Sequence, residues 1–238
     1  MARPGLVARP GVNLGRIRAL RVALLALATL VAVPASVALR GIFFPPKLDV
    51  PSIKNEPSYQ DPRLLEKAWH LPVAATFQRR LFFQPNGSVC GPTSVANVQR
   101  SLGSESASVD SVLDGTGRCW TGICWMGLSL DELAQVTRNA TGRKVTVLRN
   151  LTLAQFRDEL RHTNDVNRRY IVNFQRAPLF AQGGGHHSPI AGYLPDEDLV
   201  FVLDVNETFQ PWLVKSERLF RAVDTADAGQ KRGLLRIE

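Results

Sequence analysis

Apolar residues recur in this chain with two periods, and each period has its own stretch of sequence. After Cys90, the residues Val95, Val98 and Leu102 return at intervals of three and four, which suits the buried face of a helix. Ser129-Leu-Asp-Glu132 and Thr152-Leu-Ala-Gln155 both have the form of a capping box, so helices are predicted to start at Leu130 and Leu153. Lys144 to Arg149, Arg169 to Phe174, Pro189 to Leu194, Leu199 to Leu203 and Gly233 to Ile237 are instead β-branched or apolar runs of strand length. The polar stretch Pro195-Asp-Glu-Asp198 folds two of them into a hairpin. Helices first and an antiparallel sheet later predict an α+β fold.

A third pattern opens the chain. Val22 to Leu39 is an uncharged apolar run that nearly spans a bilayer core as a helix. Residues 1–40 contain Arg3, Arg9, Arg16, Arg18, Arg21 and Arg40 and no acidic residue, so six of the eight net positive charges sit there. The remainder is close to neutral, which argues against a nucleic-acid partner, since that would need a basic stripe on the folded domain. The positive-inside rule keeps the N-terminus cytoplasmic and exports the chain beyond the apolar run. Residues 1–40 are therefore expected to be a basic end plus a transmembrane anchor through 22–39, or a signal peptide cleaved near the small residues Ser36-Val37-Ala38. The expected location is the inner membrane with a periplasmic catalytic domain, or the periplasm or exterior if the segment is removed. Pro45, Pro46, Pro51, Pro57 and Pro62 mark 41–70 as a stiff linker, and 71–238 is long enough for one domain with its own core.

The chemistry centres on Cys90. A thiol becomes a strong nucleophile as thiolate, and a helix N-terminus or an imidazolium neighbour supplies that form. Gln84, six residues upstream, can donate an amide N–H to an oxyanion. Downstream, Gly185-His-His-Ser-Pro189 offers a base and Asp204, ending the Leu199 run, offers an orienting acid. A hairpin register symmetric about Pro195-Asp198 would put Asp204 opposite Pro189 and on the face of His187 rather than His186, so the residues alone leave the base open. The chain has three cysteines; a disulfide between Cys119 and Cys124 in an exported domain leaves Cys90 as the free thiol. This nucleophile, base and acid order is that of a papain-like cysteine protease fold.

Gln84-Pro-Asn-Gly-Ser-Val-Cys90-Gly, Gly183-Gly-Gly-His-His-Ser-Pro-Ile-Ala-Gly-Tyr193 and Val202-Leu-Asp-Val205 resemble the catalytic domain of phytochelatin synthases, the glutathione γ-glutamylcysteinyltransferases. The resemblance runs from about Leu71 to Ile237 and includes Gly127-Leu-Ser-Leu-Asp-Glu-Leu133 and Lys231-Arg-Gly-Leu-Leu-Arg-Ile237. It implies that His186 is the base, with His187 in a variable apolar position, that Asp204 is the acid, and that Gln84 assists the oxyanion. It further implies cleavage of the Cys-Gly bond of glutathione through a γ-glutamylcysteinyl thioester, giving γ-glutamylcysteine or phytochelatin-type oligomers. No tightly bound cofactor or protein-held metal is expected; cadmium or zinc would arrive on glutathione as substrate, because thiolates favour soft metals. Arg176 is a candidate contact for a substrate carboxylate. Where the family has a longer basic segment before Trp, this chain has Asn206-Glu-Thr-Phe-Gln-Pro-Trp212, and it ends at Glu238 without a Cys-rich extension. Both differences favour glycine release over polymerisation. The alternatives are a papain-like peptidase on another peptide and a silent, anchored binding domain.

Overall fold

A computed structural model describes residues 48–238 except 115–118, 121, 125–126 and 228. The expected anchor at 22–39 lies outside the described residues. No helix among the described residues is long and apolar enough to cross a membrane.

The expected linker is partly domain. Ile53 and Tyr59 are buried in the core, and α1 (Pro62–Trp69) packs Ala68 into it. Trp69 meets the Phe201 ring edge-on at 5.0 Å. Prolines read as spacer signals also suit helix starts: Pro62 occupies the first turn, where its missing N–H costs nothing, and Asp61 caps the N–H groups of Arg63 and Leu64.

Helix α2 (Cys90–Ser101) comes next, with Cys90 to Val98 wholly buried. Gly91 allows α4 (Leu130–Thr141) to press against it, for a Cβ there would sit 2.9 Å from Leu133 Cδ1. The short α3 (Val109–Leu113) lies between them in sequence. Both predicted capping boxes form, starting α4 at Leu130 and α5 (Leu153–Arg161) at Leu153.

The main sheet is antiparallel, with six strands in the order β3 (Val145–Leu148), β10 (Leu234–Ile237), β4 (Arg169–Gln175), β5 (Gly185–Leu194), β6 (Leu199–Leu203) and β7 (Pro211–Lys215). Two-stranded ribbons pair β1 (Cys119–Trp120) with β2 (Ile123–Cys124) and β8 (Ala226–Asp227) with β9 (Gln230–Lys231). β7, α6 (Ala177–Phe180) and α7 (Ser216–Val223) have no counterpart in the sequence pattern. Both faces of the sheet are covered, which is why its strands read as continuous apolar runs. On one face, Val95, Leu133, Ile171, Phe201 and Leu235 form a core with α2 and α4. On the other, Phe156, Tyr170, Phe174, Val202, Trp212 and Leu219 form a second core with α5 and α7.

One irregularity determines which histidine meets the acid. Between Gly192↔Phe201 and Ile190↔Val202 the register shifts by one residue, so Ala191 is an extra residue on β5. Leu194 lies in the first core and Ile190 in the second, an exchange of face that unbroken alternation over four residues would forbid. The bulge puts Asp204, one step past Leu203, on the face of His186 and Ile190. The symmetric register, which favoured His187, fails for this reason.

Candidate active site

Cys90 is the first residue of α2. The residue before it, Val89, has no side chain to cap the helix, so the positive end of the peptide dipoles lies unshielded beside the sulfur. Cys90 is the one free cysteine and is buried; Cys119 and Cys124 are joined in a disulfide across the β1–β2 ribbon. That ribbon braces the loop leading to the nucleophile: Asn86 Nδ2–H donates to the Gly122 carbonyl at 3.0 Å and Cys124 N–H to Ser88 Oγ at 3.0 Å.

Asp204 is fully buried and accepts from four directions. His186 Nε2 lies 2.9 Å from Oδ1, and because a carboxylate can only accept, the imidazole donates from Nε2 and leaves Nδ1 for the reacting side. Trp212 Nε1–H donates to Oδ2 at 3.0 Å, the Asn206 backbone N–H to Oδ1 at 2.9 Å, and Arg176 Nη2 to both oxygens at 2.9 and 3.1 Å. Burial alone would raise the Asp204 carboxyl; the neighbouring His186, then Arg176 and the Trp212 bond, outweigh it and hold the group far below the usual carboxylate range. Phe174 packs edge-on against the His186 ring at 5.5 Å and completes its orientation.

The thiol and the imidazole perturb one another. Burial opposes ionisation of Cys90, but the charge of His186 foremost, and then His187, brings its thiol well below the ordinary value. For His186, burial and the Arg176 charge oppose protonation, while Asp204 and Cys90 favour it and raise its pKa overall. The direct contact with Cys90 Sγ is made by His187 Nδ1, at 3.8 Å, and His186 acts on the sulfur chiefly through charge. Each shift favours the charged form of its group, the thiolate and the imidazolium.

Gln84 is tied to the same corner: its backbone N–H donates to the carbonyl of Val205, next to Asp204, at 2.8 Å. Its side-chain Oε1 is buried without a hydrogen-bond partner. His186 is thus held on Asp204, His187 next to it touches Cys90, and the backbone of Gln84 is tied beside Asp204. Arg176 departs from its expected place. It is buried, covered by the Phe209 ring 4.0 Å from its guanidinium carbon, and the carboxylate it meets is the internal one of Asp204. Nη2 is spent on that carboxylate, and Nη1 is buried without a hydrogen-bond partner among the described residues.

Two contributors were missed in the sequence. Trp212 acts through its indole N–H, and only the pairing of β6 with β7, Val202 opposite Trp212, places it there. Arg232 lies across Gly185, where a Cβ would come 2.6 Å from its Nη1, and it bonds Asn173 Oδ1 at 2.6 Å, Asp227 Oδ2 at 2.9 Å and Gln175 Oε1 at 3.3 Å. It is close enough to feel the charge of Cys90, which with Asp227 partly offsets the lowering of its pKa by burial. Its signal was the Lys231-Arg-Gly233 stretch, which alone carries no chemistry. His70 and His162 are exposed.

Residues 48–234 match the family model for phytochelatin synthase. Over 121 residues the chain is 32% identical to glutathione gamma-glutamylcysteinyltransferase 3 of Lotus japonicus, covering 48% of this chain and 25% of that protein. Over 229 residues it is 25% identical to glutathione gamma-glutamylcysteinyltransferase 1 of Arabidopsis thaliana, covering 85% of this chain and 44% of that one. The chain thus spans less than half the length of these relatives. Among solved structures, it is similar to the peptidase domain of Streptococcus ComA, with a TM-score of 0.46 and 16% identity over 67% of this chain and 96% of that one. A putative C39-like peptidase from Bacillus anthracis gives a TM-score of 0.49 and 12% identity over 68% and 94%.

Proposed function

The chain belongs to the phytochelatin synthase family, and we propose that it cleaves the Cys-Gly bond of glutathione through a γ-glutamylcysteinyl thioester on Cys90. The observation that carries this reading is the meeting of a free thiol at an uncapped helix N-terminus with an imidazole fixed by a buried carboxylate. In the first step the Cys90 thiolate adds to the Cys-Gly carbonyl, and the oxyanion is received by the Gln84 amide and the Cys90 backbone N–H. His186 gives its proton to the departing glycine amine as the C–N bond breaks. The neutral His186 then takes a proton from the second nucleophile, which displaces the sulfur and restores the ion pair. Asp204 stays ionised throughout, holding the ring and stabilising the imidazolium.

Water as second nucleophile gives γ-glutamylcysteine; the amine of another glutathione gives a γ-glutamylcysteine oligomer. Hydrolysis is the outcome favoured here, because residues 206–212 contain no cation to receive a second anionic glutathione and are occupied in covering Arg176 and Asp204. None of these steps draws on a resident cofactor, and cadmium or zinc enters as glutathione thiolate complex, part of the substrate. We place the catalytic domain outside the cytoplasm, behind an anchor or signal at 22–39. The Cys119–Cys124 disulfide agrees with an oxidising compartment.

Incubation with glutathione, with and without cadmium, tests the reading. Glycine release without longer oligomers is expected, and Cys90→Ser should abolish it. Turnover of other peptides but not glutathione would support a different peptidase, and release unchanged in Cys90→Ser would refute the proposal.

A further inference from the structure

The proposed mechanism uses one imidazole, yet two flank the sulfur. His187 is only 3% exposed and faces α2, bringing Nδ1 to 3.8 Å from Cys90 Sγ. Its other nitrogen, Nε2, is buried and has no hydrogen-bond partner. Buried ring nitrogens are normally satisfied by protein groups or water. Among the described residues, the partner His187 has for its ring is the sulfur.

Its backbone is fixed independently of any substrate. Ser94 Oγ lies 2.8 Å from the carbonyl oxygen of Cys90 and 3.1 Å from that of His187, clipping the strand to the first turn of α2. On the other side, His187 pairs with Asn173 of β4. Helix and sheet therefore set the separation between ring and sulfur, where His186 depends on Asp204 for its orientation.

We propose that His187 is a positioning residue for Cys90: its neutral imidazole donates Nδ1–H to the thiolate from the α2 side, holding the sulfur in place and ionised together with His186. The proposal rests on the reading of Cys90 as the nucleophile. The charged groups around the sulfur are His186 on β5, with Asp204 and Arg176 behind it, and Arg232 with Asp227 ahead of β10. His187 differs from these in reaching the sulfur directly, from the α2 side of the strand, and it meets the sulfur again when the thioester releases it as thiolate.

The pH dependence of Cys90 alkylation by iodoacetamide tests this without glutathione. His187→Phe keeps a planar ring, somewhat larger, and removes the donor; His187→Asn has less bulk but returns an N–H near the position of Nδ1. The expected result is a midpoint raised by roughly one pH unit in His187→Phe, a tenfold change in the thiolate equilibrium, and a midpoint near the parent's in His187→Asn. A purely packing role predicts the reverse order, with Phe benign and Asn harmful, and that result would overturn the proposal. Should His187→Phe fail to fold, nitrogen NMR of the unmodified chain decides. A neutral His187 protonated at Nδ1 supports the inference, and protonation at Nε2 alone refutes it. A shifted alkylation midpoint in a protein that does not process glutathione would keep this inference and defeat the proposed function.

Discussion

Replacing Arg176 by Met separates the two roles that this residue could have. The guanidinium and the Asp204 carboxylate are both buried, with side-chain exposures of 9% and 0%, and meet at 2.9 Å. Removing one partner of a buried ion pair costs about 3–5 kcal/mol, because the other charge is left uncompensated. Asp204 would still accept from His186, Trp212 and Asn206, so the lower end, about 3 kcal/mol, is expected. For a domain of this size each kcal/mol moves the midpoint by about 2–4 °C, so Arg176→Met should melt roughly 6–12 °C lower in a thermal scan. Arg176 also opposes the protonation of His186, so its loss should carry the alkaline limb of activity to higher pH. KM for glutathione should change less than twofold, roughly 0.4 kcal/mol, because the guanidinium is buried and its Nη2 is spent on Asp204. An unchanged melting temperature with KM raised tenfold or more would refute this reasoning and return Arg176 to the substrate.

Activity against pH should be a broad bell, since the Cys90 thiol is depressed and His186 is raised, with the acid limb set by the first and the alkaline limb by the second; a single alkaline-rising limb near the ordinary thiol value would contradict the ion pair. Stability obeys the same signs. The contributions of Asp204 and Cys90 are present above their unfolded pKa values and are lost as pH falls through the depressed folded ones, whereas that of His186 is complete below its unfolded value of about 6.5 and is lost as pH rises through the folded one. Urea midpoints across pH would record both. Asp204→Asn should lower kcat/KM by about 10³–10⁴-fold, because an amide can present its N–H to His186 and favour the wrong tautomer; steady-state kinetics showing less than a tenfold loss would count against its role. Changing Cys119 and Cys124 together to Ser opens a short loop, and denaturant melts should show a loss of up to about 2 kcal/mol, with a lower kcat because the ribbon no longer braces Asn86 and Ser88.

The helices that begin at Ser129 and Thr152 were legible because each cap is a local exchange of hydrogen bonds among four residues. β6 was equally plain, since Leu199 to Leu203 lies between a polar turn and an acid. What escaped was non-local. Nothing around Ala191 marks it as the extra residue of a bulge, yet that one residue puts Asp204 on the side of His186. The family resemblance favoured His186, the histidine that meets Asp204, where alternation alone leaned to His187. Arg176 looked like a residue free to meet a ligand because its sequence neighbours say nothing about Asp204, which lies 28 residues away in the chain. The prolines before residue 70 suggested a spacer, although several belong to a segment that buries Ile53 and Ala68. The motif named candidate residues that lie close together in the fold; the bonds that orient them depend on strand pairing.

Intact mass of the protein quenched within the first turnover with glutathione tests the central claim most directly. Cys90 should carry the mass of one γ-glutamylcysteinyl group, lost on standing as the thioester hydrolyses and absent from Cys90→Ser. Glycine release with no covalent adduct on Cys90 at any time during the first turnover would contradict it.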